Sequence, residues 1–519
     1  MPEQRGTPLF ELTTNPSNPS LVLLERPAMS KVRSVEDLHG ISGKKTASGS
    51  GVFADRYRYL ILFIGALCLT MVCSNMIALN FTLICMNENG ETVDHGANST
   101  ELPIAPKYHY STHEKSILLW AVAFGCMAAT FPFNSLYALY GAKWVFFAAG
   151  ILSAVSTLVI PLTAEHSFTW FVVARVVQGI AYASDFAAIG VICARWASLK
   201  QNGIFLAVLT SFTGFSSALT NSVSGLLCES SWGWPSVYYV HGIVSLIAFS
   251  LWILCYQDQP EFHKSVSAVE LEKIHRGKSE AHKNMDSFIP YWKICSNKVV
   301  LIIWLNALAD IGSGIFLLTY TPIYMKSVLR FSVTETGFLG ALPALATLPF
   351  KFVTGYLSDK MKNYNERYKM MFFNTLALGT AGLLYAILGF VPDDHPVVAV
   401  VVFMCIHVFL SGNCAGFYKC AILVARQYSA FVVSNIQFIK CVSLFIAPGM
   451  VSLFITDEES KAQWRLIFFV WTAILFVANI AFCFVATDEP ADFTLITRET
   501  AREKSNGDIE LHARGRRDH

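Results

Sequence analysis

Seven ionisable side chains stand inside long apolar stretches of this sequence: Arg175, Asp185, Asp310, Lys351, His407, Lys419 and Lys440. A charge in hydrocarbon is costly unless it is paired or faces water, so each marks either a static ion pair or a ligand pathway. The residue types suit different tasks. The planar fork of Arg175 matches a carboxylate, whereas a lysine offers a point charge. Asp185 and Asp310 are able to exchange a proton or hold a cation, and His407 titrates near neutrality when unperturbed. Tyr182, Tyr320, Asn306, Asn413 and Gln437 are candidates for further hydrogen bonds to a ligand, with helix packing as the plainer role. No nucleophile, base and orienting group recur at motif spacing, and no nucleotide-binding loop is present. The reading is therefore not an enzyme, and no cofactor and no metal are expected.

The elements that carry these charges are membrane spans. Only 15% of residues are charged, 54% are hydrophobic, and the mean hydropathy is positive. A soluble chain would carry roughly a quarter charged residues. Apolar runs long enough to cross about 30 Å of hydrocarbon as helix lie near 59–85, 116–138, 144–164, 168–194, 203–228 and 236–256. Six more lie near 299–325, 335–358, 369–391, 396–424, 430–455 and 465–487. The expected organisation is a polar tail (1–58), a first six-helix half (59–256), a charged linker (257–297), a second six-helix half (298–487) and a second tail (488–519). Two such halves suit a carrier whose parts rock about a central site.

Orientation follows from Lys and Arg. Most fall in both tails, the linker and the Lys360 to Lys369 cluster, which places these segments and both termini in the cytoplasm. No apolar segment near the start resembles a cleaved signal peptide, so targeting is expected to use the first span. Asn98-Ser99-Thr100 is a glycosylation sequon in the loop after that span, on the expected outer side. Cys85 and Cys228 end near the same outer face, where a disulfide is possible but not required. The remaining cysteines read as small hydrophobes. A net charge of +2 with dispersed basic residues excludes nucleic acid as a partner.

Several segments also carry a family resemblance: Ala174-Arg175-Val176-Val177-Gln178-Gly179, Gly233-Trp234-Pro235-Ser236-Val237-Tyr238-Tyr239-Val240 and Thr321-Pro322-Ile323-Tyr324-Met325-Lys326. Gly337-Phe338-Leu339-Gly340-Ala341-Leu342-Pro343 and Gly355-Tyr356-Leu357-Ser358-Asp359 follow. In order and spacing these resemble the major facilitator superfamily, and within it the anion-cation symporter family that includes sialin, the vesicular glutamate transporters and the sodium/phosphate-type organic anion carriers. The resemblance covers about residues 56–492. It implies an all-α membrane fold of twelve helices in two pseudo-symmetric six-helix halves, with a cavity lined by spans one, four, seven and ten.

What the resemblance implies for function is secondary active transport of a small organic anion or zwitterion, coupled to protons or sodium. Arg175 matches an arginine implicated in holding the substrate carboxylate. Tyr182, Lys419 and Asp310 lie on cavity-lining spans and join it as expected substrate contacts. The family's span-four acidic position is Tyr182 here, so Asp185, three residues on, is the expected ion-coupling group. Gly355 allows close helix approach and Asp359 pairs in one state only, which makes them an expected conformational latch. Lys351 and Lys440 lie on spans that usually support the site, and structural roles are expected for them. The chain departs from the pattern at Ala78-Leu79-Asn80-Phe81-Thr82, which lacks a span-one arginine, and at Cys420-Ala421-Ile422-Leu423. The Pro132 to Lys143 segment, which corresponds to the latch in the first half, lacks the paired glycines and any acidic residue. These departures motivate an alternative, a transporter-like membrane sensor or scaffold. A plasma membrane and a vesicular or lysosomal membrane both fit the orientation.

Overall fold

A computed structural model describes residues 55–86, 108, 110–198, 202–275, 290–361, 363–392 and 395–495. The sequon at Asn98 and the tail residues 1–54 and 496–519 lie outside these residues. The first half of the chain forms α1 (Tyr57–Cys85), α2 (Thr112–Tyr140), α3 (Ala142–His166), α4 (Phe168–Tyr182), α5 (Asp185–Trp196), α6 (Asn202–Thr210), α7 (Phe212–Cys228) and α8 (Gly233–Cys255). The linker contributes α9 (Ala268–His275) and α10 (Tyr291–Cys295). The second half forms α11 (Lys298–Ser327), α12 (Val333–Lys360), α13 (Glu366–Asn374), α14 (Thr380–Leu388), α15 (Pro396–Leu410), α16 (Phe417–Ala425), α17 (Ser429–Phe454) and α18 (Lys461–Val485).

Eleven helical segments among the described residues are long and apolar enough to cross a membrane. The expected run at 203–228 is instead divided at Ser211 into α6 and α7, of 9 and 17 residues, each too short to count alone. Helices begin earlier than the apolar runs because polar first turns continue them. Ser111 with Glu114 and Ser332 with Glu335 form capping boxes that satisfy the first amides of α2 and α12. Phe63, Leu139, Leu254, Leu453 and Phe484 point outward with their side chains exposed, as only a lipid solvent permits. Trp144, Trp232 and Trp292 stand exposed at helix ends or in the linker, where interfacial belts form.

Each half is knitted by a buried amide cluster. In the first, Asn75 of α1 donates to Ser153 of α3 and Ser245 of α8, both at 2.9 Å. In the second, Asn374 of α13 donates to Asn306 of α11 at 3.1 Å and Asn479 of α18 at 2.9 Å. Paired amides satisfy each other in place of water, so these contacts fix helix register inside an apolar bundle. A disulfide joins Cys85 to Cys228, tying the ends of α1 and α7.

The two halves meet along α2 with α17, α7 with α12 and α1 with α11. Trp120 donates to the Phe445 carbonyl at 3.0 Å, Ser116 to the Pro448 carbonyl at 3.3 Å, and Asn221 to the Gly340 carbonyl at 3.1 Å. Asn80 donates to Thr319 at 3.2 Å. Lys115 pairs with Glu458 at 2.7 Å, and Thr334 donates its amide to Glu229 at 2.9 Å. All of these contacts lie toward the face that carries the α1–α2 connection, the loop face, and they close it. A Cβ on Gly337 would lie 2.6 Å from the Asn221 carbonyl oxygen, so α7 and α12 touch backbone to backbone there. A Cβ on Gly355 meets nothing within 4 Å among the described residues, so in this conformation its helix makes no close approach to them at that point. The side chain of Asp359 lies outside the described part.

Candidate functional site

Depth along each helix decides which charges can meet. Asp185 stands eleven residues before Trp196, the end of α5, and Lys440 stands eleven residues after Ser429, the start of α17. Both ends lie on the face of the 257–297 linker, so both groups sit about 16 Å in, near the middle of the bilayer. They pair across the halves. Lys440 Nζ donates to Asp185 Oδ2 at 2.7 Å, and Gln437 Nε2 donates to Oδ1 at 3.2 Å. The Lys440 ammonium lies 4.1 Å from the ring centre of Tyr182 and 4.7 Å from that of Phe186. Two aromatic faces and a carboxylate therefore hold a cation that is otherwise removed from water.

Local sequence explains the placement. The helix of the fourth span breaks at Ala183 and Ser184, which puts Asp185 in the first turn of α5. The Phe186 amide donates to Asp185 Oδ1 at 2.7 Å, so the carboxylate caps its own helix while it answers Lys440. Asn413 lies in a comparable interruption, a 3₁₀ turn at Ser411–Ala415 between α15 and α16. It donates to Asp310 Oδ2 at 2.6 Å, while Oδ1 of that buried carboxylate has no partner among the described residues. Lys351 of α12 reaches the same interruption, where Cys414 Sγ donates to its carbonyl at 3.7 Å beside Asn413, and its ammonium makes no salt bridge among the described residues.

Arg175 stands apart, seven residues into α4 and toward the loop face. It is fully buried and donates to the Met76 carbonyl at 3.0 Å, the Leu118 carbonyl at 3.3 Å and Gln178 Oε1 at 2.5 Å. Nη2 has no partner. Lys419 lies only six residues before the linker-face end of α16, where Glu366 takes its charge at 2.9 Å and Ser358 accepts a bond at 3.2 Å. Thus Tyr182 and Asp185 come together, while Arg175, Asp185 and Asp310 make no bond to one another. Sequence reasoning gave Lys440 a supporting role and so missed the pair. Equal distance from the linker-face ends was the available signal, but it required knowing that α5 and α17 face each other.

Outside the spans, the linker docks through α9. The Arg58 amide donates to buried Glu270 at 2.9 Å, Ser267 bonds Asp55, and His275 pairs with Glu261 at 2.8 Å. Burial works against the Glu261 charge, but the bond from His275 and a backbone amide outweigh it and hold the carboxyl below its ordinary range.

A bundle of lipid-facing helices closed at one face, with a buried charge pair bridging its sequence halves at mid-depth, defines a membrane carrier. The chain belongs to the Major Facilitator Superfamily, whose family profile matches residues 62–448. Among curated proteins it is 24% identical over 454 residues to the mouse sodium-dependent phosphate transport protein 3, covering 83% of this chain and 93% of that one. It is 23% identical over 452 residues to sheep sialin, covering 85% and 90%. The crystal structure of a D-xylose-proton symporter superposes with a TM-score of 0.63 at 13% identity, covering 83% of this chain and 98% of that one. The expected resemblance to the anion-cation symporter group is thereby met, and the chain is a secondary transporter of the alternating-access type, not an enzyme.

Proposed function

We propose that the chain moves a small organic anion or zwitterion across the membrane, coupled to a proton or a sodium ion. The observation that carries this reading is the Asp185–Lys440 pair, a buried cation and anion held between the halves beside a helix break. A substrate carboxylate that takes Lys440 frees Asp185 for the ammonium of a zwitterion or for a coupling ion, and the bond between halves is exchanged for bonds to the ligand. One cation and one carboxylate match a zwitterion or mono-anion better than a multiply charged anion. Tyr182 adds an aromatic wall. Arg175 contributes its unpartnered Nη2 when the loop face opens, and Asp310 completes the polar lining from the second half. Lys419, tied to Glu366, guards the linker face.

In this reading α6 and α7 form one broken span, which completes twelve spans in two six-helix halves, 59–256 and 298–487, joined by a linker at 257–297. The loop face is the outer or lumenal one, consistent with the Cys85–Cys228 disulfide, which persists where the compartment is oxidising. Both tails are then cytoplasmic, Asn98 is available for glycosylation, and Gly355 with Asp359 latches the linker face in the opposite state. The membrane is the plasma membrane or that of an acidic vesicle or lysosome. Purified protein in proteoliposomes, offered a panel of radiolabelled acids including urate, glutamate, a sugar acid and inorganic phosphate under imposed proton and sodium gradients, tests the proposal. Gradient-driven accumulation of a mono-anion or zwitterion is expected. Binding without accumulation across the panel would favour a sensor or scaffold and overturn it.

A further inference from the structure

We infer that Asp310, and not Asp185, takes up the coupled ion, that this ion is a proton, and that its arrival releases Lys351 to join Lys440 as a second cation for the anionic group of the substrate. The inference rests on the transport reading above and decides between its two coupling ions.

The two buried carboxylates of the interior are in opposite conditions. Asp185 is answered by Lys440, Gln437 and the Phe186 amide, so both its oxygens are occupied. Among the described residues, Asp310, 6% exposed, has a single bond, from Asn413 at 2.6 Å, which leaves Oδ1 without a partner there. An unpartnered anionic oxygen at this depth carries the full desolvation cost. A proton on Oδ1 removes the charge and the cost together. Sodium is the poorer candidate. It needs several oxygen acceptors, but the neighbours of Asp310 present an N–H donor from Asn413 and a positive charge from Lys351, both of which oppose a cation.

The surroundings complete the case. Asp310 stands twelve residues after Lys298, at the depth of the Asp185–Lys440 pair, and Asn413 sits in the interruption between α15 and α16. Helices α1, α12, α15, α16, α17 and α18 pack on α11. Of the charged and titratable groups on these helices, Lys351 of α12 meets the interruption through the Cys414 Sγ bond to its carbonyl at 3.7 Å, Tyr418 of α16 stands at its other end against Phe417, and both are coupled electrostatically to Asp310. Lys351 is half-buried and makes no salt bridge among the described residues. While Asp310 is ionised, it offsets the Lys351 charge. When hydronium at the open face gives its proton to Oδ1, one hydronium O–H bond breaks as the Oδ1–H bond forms, water leaves, and Lys351 becomes an uncompensated cation. Release on the other face reverses the step. Proton and anion binding thus favour each other, which is the sign required for symport, and by reciprocity each strengthens the other by the same factor, about 5- to 150-fold.

Two measurements test this. Infrared difference spectra of the full-length protein in detergent, taken between acid and neutral pH with no substrate present, should show the carbonyl band of a protonated carboxylic acid. Asp310→Asn should remove it and Asp185→Asn should leave it. A band that survives Asp310→Asn, or that depends on Asp185 alone, would overturn the assignment whatever the substrate is. In proteoliposomes loaded to follow urate, Asp310→Asn should flatten the pH profile and reduce acceleration by an inward proton gradient about ten-fold or more, while Asp310→Glu restores both. Lys351→Gln should raise the apparent KM for the anion, and Lys351→Arg should recover it in part. Full proton-gradient stimulation in Asp310→Asn, or sodium dependence with no pH dependence in the wild type, would refute it. A wild type that moves no anion, with the infrared band intact, would remove the transport reading and leave Asp310 as the protonated group.

Discussion

Replacing Lys440 by Met should uncouple the two halves more than any other single change in the interior. Its ammonium lies 2.7 Å from Asp185, worth about 6 kcal/mol of gross attraction at an effective dielectric constant of about 20. Most of this offsets desolvation of the two charges. What survives on deleting one partner is the penalty of a buried, unanswered carboxylate, about 3–5 kcal/mol. Lost contact with the Tyr182 and Phe186 rings adds about 1–2 kcal/mol. Asp185→Asn/Lys440→Met removes both charges and should return close to wild type, because a pair replaced by neutral groups no longer costs desolvation. The cycle of two single variants and the double should therefore show a coupling of at least about 2 kcal/mol. Thermal unfolding in detergent, followed by loss of monodisperse protein, reads the stability. Accessibility of an engineered cysteine on each face reads the conformational balance, which 3 kcal/mol shifts by roughly a hundred-fold. Lys440→Met within about 0.5 kcal/mol of wild type, or a double variant as unstable as that single one, would refute the pairing as a bridge between halves.

Arg175→Lys should lose most uptake with the protein still reaching its membrane, because a point charge cannot serve the Met76, Leu118 and Gln178 acceptors together; unchanged KM and rate would count against a binding role. Gly337→Ala should hinder closure of the loop face by about 1–3 kcal/mol, since its Cβ lies 2.6 Å from the Asn221 carbonyl oxygen. Gly355→Ala is the control and should change the balance by less than about 0.5 kcal/mol in this state. Glu261 titrates below its ordinary range when the linker is docked, so it stabilises docking at neutral pH, and that contribution fades as the pH falls through its lowered value. Because the pair is partly exposed, the effect should stay under about 1 kcal/mol. Protease cleavage within 257–297 should rise in acid, and Glu261→Gln should abolish the pH step.

Where the helices run was legible in the residues themselves. A stretch such as 59–85 has no stable place in water, and any backbone crossing lipid must satisfy its own hydrogen bonds, so hydropathy and length sufficed for nearly every span. The exception shows the limit. The stretch 203–228 is as apolar as its neighbours, but the helix stops at Ser211, and composition alone carried no sign of that. The same limit separates the charges. Sequence marked Asp185, Asp310 and Lys440 as expensive, because the cost of burial is a property of one residue. Which of them is relieved, and by what, is a property of pairs. Asp185 and Lys440 are 255 residues apart, and only the packing of α2 against α17 and the break between α4 and α5 bring their heads to 2.7 Å. The same packing leaves Asp310 with one bond and an unanswered oxygen, a difference between two like side chains that no local pattern encodes.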